Sequence, residues 1–245
     1  MHHHQHNANN NDYLPEHAAY VVFTSEPDDK HSQRRCVMEV NAVVPPVPQY
    51  LNWSEQPIVW DRRDHPDVMP RPGRYALVLD PTFSAGELNV RFSRVLIDGG
   101  SSINILYHDT MRKLGIRETQ LSPSRTTFHG IVPWHSCSPI GRIRLEVKFG
   151  TEANFRTEVI EFEVVDLSSP YHTLLGQPAL AKFMAVPHYG YLKMKMPGPK
   201  GVITISGDYK RSMACTTASS KMVESLVIVE EKQQLSRVVA MAQSA

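Results

Sequence analysis

Asp98 is the residue of this chain best placed to do chemistry. It closes the apolar run Val95-Leu96-Ile97 and opens the stretch Gly99-Gly100-Ser101-Ser102. An apolar run ending in glycines predicts a buried strand that breaks into a tight turn, which puts the Asp98 carboxylate where a sheet opens onto a cleft. A charge there is costly unless it is paired, hydrogen-bonded or used, and the Gly100 N–H and Ser101 hydroxyl are the donors at hand to steady it. Taken alone, these four residues read as a plain turn. Features at set distances along the chain reverse that reading.

Other clusters carry less. The start Met1-His2-His3-His4-Gln5-His6 is a polar tail without a second ligand set, and it is assigned no function. In Asp61-Arg62-Arg63-Asp64-His65-Pro66-Asp67, acids and bases alternate, and mutual neutralisation on a solvated turn outweighs a metal site. The three cysteines, Cys36, Cys137 and Cys215, are odd in number and far apart, so free thiols are expected and neither disulfides nor a zinc knuckle. No metal and no cofactor are expected. The formal net charge of +1 gives no reason to expect nucleic acid or a membrane surface as partner. With no apolar run of membrane-spanning length and no signal-peptide core, a soluble, intracellular and cytoplasmic protein is expected.

The elements that must position Asp98 follow from patterning. Residues 1–72 read as a leader: polar and disordered to about residue 35, then proline-dense and extended, with Trp53 and Trp60 as aromatic anchors. Residues 73–206 read as the folded domain. Tyr75 to Leu79 and Val90 to Ile97 are expected strands around a turn at Ser84-Ala85-Gly86-Glu87. Ile103, Leu106, Tyr107, Met111 and Leu114 recur at helical spacing and predict an amphipathic helix capped by Ser102 or Asn104. Ile143, Leu145, Val147 and Phe149 alternate with charged residues, and Ile160, Phe162 and Val164 answer them across a turn, predicting a long half-buried hairpin. Leu174-Leu175-Gly176 leads into a short helix at Ala179 to Phe183, and a last hairpin turns at residues 197–201. Residues 207–245 read as a linker tail, partly helical between Met222 and Ala242.

This order of elements resembles the retropepsin-like aspartic protease region of plant gypsy-type LTR retrotransposon polyproteins, over about Val37 to Cys215. The likeness is carried by Trp53-Ser54-Glu55-Gln56-Pro57, Pro70-Arg71-Pro72-Gly73-Arg74-Tyr75, Ile97-Asp98-Gly99-Gly100-Ser101-Ser102 with Asn104-Ile105-Leu106-Tyr107, Phe128-His129-Gly130-Ile131, Leu174-Leu175-Gly176, and Lys182-Phe183-Met184-Ala185-Val186-Pro187. The resemblance implies a mainly β fold, a retropepsin-like closed β-barrel with one or two short helices, forming the single-lobe subunit of a dimer. It also implies a fragment of a larger product.

Residue by residue, the resemblance makes Asp98 the catalytic aspartate, Gly100 the loop glycine and Ser101 the hydroxyl that hydrogen-bonds the carboxylate. It makes Phe128, His129, Gly130 and Ile131 substrate-binding residues of a flap reaching Pro139, and Leu174, Leu175 and Gly176 the support beneath the active-site loop. Two neighbouring carboxylates cannot both ionise, so as a pair they hold one proton and one base, enough to activate water and protonate a leaving amide. One such stretch per chain makes a second copy of the chain the required partner, with a polypeptide as substrate. Gly99 stands where active retropepsins usually carry Thr or Ser, although Gly is usual there in the plant elements this chain resembles, and Gln177 stands where Arg often follows Leu-Leu-Gly. These two departures support the alternative, a catalytically inactive retropepsin-fold module that dimerises or binds peptides.

Overall fold

The computed structural model describes residues 23–25, 57–67, 69–129 and 136–243. In chain order the strands are β1 (Phe23–Ser25), β2 (Leu77–Leu79), β3 (Thr82–Ala85), β4 (Leu88–Arg91), β5 (Val95–Ile97), β6 (Ile105–Tyr107) and β7 (Thr127–His129). They continue as β8 (Ser136–Cys137), β9 (Gly141–Thr151), β10 (Asn154–Val165), β11 (Thr173–Leu175), β12 (Val186–His188), β13 (Lys193–Gly198) and β14 (Gly201–Ser206). The α-helices are α1 (His108–Lys113), α2 (Gln177–Phe183) and α3 (Tyr209–Gln243).

The alternating segment forms β9, and β10 pairs with it antiparallel in the register Leu145↔Ile160 and Ile143↔Phe162. Leu145, Val147, Phe149, Ile160, Phe162 and Val164 are buried on the inner face, while the charged residues between them stay wet or half-buried. Eight strands join in the order β2-β5-β11-β6-β10-β9-β3-β4. The sheet is mainly antiparallel but has two parallel pairs, β5 with β11 and β6 with β10. Its inner face closes over one core containing Leu77, Phe83, Val95, Leu106, Phe162, Leu175 and Phe183.

The mainly β class is what the structure has, as a strongly curled half-barrel carrying two short helices, α1 and α2, and followed by the long α3. Closure differs from expectation: among the described residues β2 and β4 are edges and do not pair with each other. The start of α3 covers the β2 edge. Ala76 N donates to Thr216 Oγ1 at 3.0 Å, and buried Cys215, a free thiol as expected, packs against Val78 and Tyr171. Docking of these turns starts the helix at Tyr209, well before Met222, while Leu226 to Val229 further along remain exposed.

The helix expected from Ile103 to Leu114 is only His108–Lys113. Ile105-Leu106-Tyr107 instead forms β6, inserted between β10 and β11, because both of its neighbours offer strand partners that a helix would leave unpaired. Asn104 consequently does not cap this helix, whose N-cap is Tyr107. The final hairpin pairs as expected, with β12 added as a third strand.

Part of the proline-rich segment is also ordered against this hairpin. Residues 62–64 make a 3-10 turn capped by Asp61, and Asp61 pairs with Arg63 in solvent as a neutralising turn should. Asp64 does not: it is buried and accepts from Lys195 Nζ of β13 at 2.7 Å. Backbone pairing also joins β1 to β7.

Candidate active site

β5 delivers Asp98 to the end of the sheet, and β11 fixes its height. The two strands run parallel with Leu175 beside Ile97, and Asp98 N donates to Leu175 O at 2.9 Å. Past this point the chain turns: Ser101 N donates to Asp98 O at 3.2 Å, and Gly100 N donates to Asp98 Oδ1 at 2.9 Å. The carboxylate is half-buried, open on one side and held by a backbone donor on the other.

The expected role of Ser101 is not the one its hydroxyl plays here. Ser101 is fully buried, and its Oγ donates to Ile103 O at 2.9 Å, so its single hydrogen is committed to the loop's own backbone and away from Asp98. Of the two donors expected, Gly100 N–H is the one that meets the carboxylate.

Leu174, Leu175 and Gly176 lie directly beneath. Leu174 and Leu175 are in β11, wedged between β5 and β6, and Thr173 Oγ1 donates to Ile105 O. Gly176 passes so close under the loop that any side chain would strike the carbonyls of Ser101 and Ile103. Asn104 bolts this crossing: its Oδ1 accepts from Gly176 N at 2.9 Å and its Nδ2 donates to Glu161 O at 3.0 Å. Gln177 N donates to Ser101 O at 2.8 Å, and Gln177 Nε2 donates to Gly99 O at 2.9 Å.

Gly99 N donates to Tyr189 Oη at 2.8 Å. Nothing in the sequence marked Tyr189, which reaches the loop from the turn after β12. Burial pushes its phenol up from the ordinary value, and the Asp98 charge acts in the same direction, so the group stays protonated. Tyr107 and Tyr171 are likewise raised, chiefly by burial, with the Asp98 charge contributing.

Beside the loop runs an open groove of about 560 Å³ whose lining includes Ser102, Ile103, Arg144, Val159, Glu161 and Lys182. Arg144 Nε donates to Glu161 Oε2 at 3.0 Å and Lys182 Nζ to Val159 O at 2.5 Å, so charges of both signs stand among the apolar Ile103, Val159, Ile160 and Pro178 in its walls. Phe128 and His129 lie in β7, which pairs with β8 as a hairpin in the register Phe128↔Cys137. Gly130 and Ile131 lie outside the described residues. Among the described residues no cluster of His, Cys, Asp and Glu could hold a metal, and no helix is long and apolar enough to cross a membrane.

No family model matches the sequence, and no curated protein matches it. Solved structures do. The retroviral protease-like domain of Ddi1 from Leishmania major is 12% identical, over 53% of this chain and 91% of that one, with a TM-score of 0.36. A retropepsin-like aspartic protease from Rickettsia conorii is 20% identical, over 51% of this chain and 78% of that one, with a TM-score of 0.31.

Proposed function

We propose that this chain is one subunit of a homodimeric, retropepsin-like aspartic endopeptidase in which Asp98 is the catalytic carboxylate. The observation that carries the reading is the setting of Asp98. It is half-exposed at the end of β5, with its backbone N–H on Leu175 O and one carboxylate oxygen held by Gly100 N–H.

With two copies, the ionised Asp98 takes a proton from a water molecule as that oxygen attacks the peptide carbonyl carbon. The protonated Asp98 of the other copy gives its proton to the carbonyl oxygen, forming a tetrahedral gem-diol. Transfer of a proton to the amide nitrogen then lets the C–N bond break, yielding a carboxylic acid and an amine. The groove beside Ser102 and Ile103, part polar and part apolar, is the surface against which an extended polypeptide would lie, and the hairpin of β7 and β8 is the element proposed to close over it.

The motifs quoted for the gypsy-type elements make the chain's own polyprotein the proposed substrate and the cell interior the proposed compartment. A second reading, a module that binds peptides or dimerises without cleaving, is favoured by Gly99, which lacks the hydroxyl usual at that position in active retropepsins, and by Gln177 in place of an Arg. The test is a peptide-library digestion at acid pH with parent and Asp98→Asn proteins. Cleavage by the parent alone supports the peptidase; binding without cleavage by both supports the module; equal cleavage by both removes Asp98 from the chemistry.

A further inference from the structure

The loop that carries Asp98 consists, after the aspartate, of two glycines, the residues least able to hold a direction by themselves. Its two peptide planes are nonetheless held from outside. The plane between Asp98 and Gly99 presents the Gly99 N–H, which donates to Tyr189 Oη at 2.8 Å. The next plane presents the Gly99 carbonyl, which accepts from Gln177 Nε2 at 2.9 Å, and on its opposite side the Gly100 N–H, which donates to Asp98 Oδ1 at 2.9 Å. Because a peptide unit is rigid and planar, fixing one side of each plane aims the other. The Gln177 contact therefore aims the Gly100 N–H at the carboxylate, and the Tyr189 contact fixes the preceding plane, from which that one turns and whose carbonyl accepts from Ser101 N.

Glycine and tyrosine fit one another here. A Cβ at position 99 would stand 2.9 Å from Tyr189 Oη, so the missing side chain is what admits the phenol to the amide.

Tyr189 is in turn held by its surroundings. Its turn is closed by Tyr191 N donating to His188 O at 3.2 Å and Leu192 N donating to Tyr189 O at 3.3 Å, with Leu192 buried in the core. Against the turn lies the 57–67 segment: Trp60 packs on His188 at 4.9 Å and His65 on Tyr191 at 4.7 Å, while His188 and Tyr191 stack at 3.7 Å. Beneath them Lys195 Nζ donates to Asp64 Oδ2 at 2.7 Å and to Val59 O at 2.8 Å, and sits 4.7 Å over the Trp60 ring.

We propose that Tyr189 is a positioning residue for the Asp98 loop and that the 57–67 segment is the brace that keeps it there. The functional half of this statement rests on the peptidase reading; the structural half does not. Tyr189→Phe removes one oxygen and keeps the ring. It is expected to speed hydrogen exchange of the Gly99 amide by about tenfold, the share expected of one net hydrogen bond, and to lower kcat by a similar factor with KM little changed. Gly99→Ala is the reciprocal change: it should lower the melting temperature in the parent, where the new methyl meets the phenol oxygen, and much less in the Tyr189→Phe background. Asp64→Asn, far from the carboxylate, should also speed Gly99 exchange while the core amides of β9 and β10 stay protected, which establishes that the variant is folded.

Unchanged Gly99 exchange in Tyr189→Phe, or equal effects of Gly99→Ala in both backgrounds, overturns the positioning role whether or not the protein is active. Unchanged Gly99 exchange in Asp64→Asn overturns the brace. Faster exchange in a chain that cleaves no peptide refutes the peptidase reading and supports the positioning of the loop.

Discussion

Gly176 passes beneath Ile103 so closely that a Cβ on Gly176 would stand 2.1 Å from the Ile103 carbonyl oxygen and 2.6 Å from that of Ser101. Both obstacles are backbone, and both belong to the loop whose far side is Asp98. Gly176→Ala must therefore push the loop away from β11 or break the crossing, at a cost of about 3 kcal/mol, the upper part of the usual range for overpacking. Urea unfolding should show the loss as a lower midpoint, and a variant as stable as the parent would contradict this packing.

Arg156 tests the same region from the other end of α2. Its guanidinium is buried and donates to Phe183 O and Lys182 O, each at 2.7 Å, capping carbonyls that the helix itself leaves unpaired. Arg156→Met keeps the apolar stem and strands both carbonyls and the Glu158 carboxylate that Arg156 Nε meets at 2.8 Å, so a loss of about 2 kcal/mol is expected. Arg156→Lys should recover only part of it, since an ammonium lacks the planar fork that meets two acceptors at once. Full recovery by lysine, read from the same unfolding curves, would show that charge alone matters there.

The sequence made some of this legible for reasons the structure makes plain. The β9 and β10 hairpin was readable because strict alternation has one physical solution, a sheet with one wet face. That the chain turns at Asp98 was readable because an acid and glycines after an apolar run are local signs, while the place of Gly176 beneath the loop came from the resemblance. Tyr189 was not, since its contact with Gly99 bridges ninety positions of sequence. Asp64 looked like one member of a self-neutralising run, and only the fold brings Lys195 to it across 131 positions. Ile103 to Leu114 misled because a three-residue strand followed by a short helix produces the spacing of one long helix. Ser101 was assigned to the carboxylate both as a neighbouring donor and by resemblance, while its hydroxyl is taken by a carbonyl two residues away.

His172 gives a pH dependence whose sign can be worked out. Burial first, then the charges of Arg94 and Lys113, bring its imidazole down from 6.5 to about 4. Arg94 Nη2 lies 3.0 Å from His172 Nε2, a contact in which the arginine donates and the imidazole must be neutral to accept. Between these two values the unfolded chain binds a proton that the folded chain refuses, so stability falls as pH drops from about 6.5 towards 4. His172→Gln keeps an acceptor and does not titrate. Its unfolding free energy should therefore fall less than the parent's between pH 7 and pH 4, a window that includes the acid conditions an aspartate pair favours. Parallel pH profiles for the two proteins would remove His172 from the account.

The proposed dependence on a second copy exposes the peptidase reading most directly. Each chain brings one Asp98, so a mixed dimer of parent and Asp98→Asn subunits has one carboxylate and one amide, and cannot hold a proton and a base at once. At concentrations where dimers are saturated and subunits pair at random, adding a fourfold excess of the Asp98→Asn chain should leave about one-fifth of the parent's activity. Dilution of the parent alone should lower activity per molecule as dimers come apart, and the onset of that loss should coincide with the dissociation seen by sedimentation. Asp98→Asn must itself still dimerise for the mixing to work, which the same sedimentation run establishes. Activity that ignores both the excess variant and dilution would mean that one chain holds a complete site, and the pairing of two Asp98 carboxylates would have to be given up.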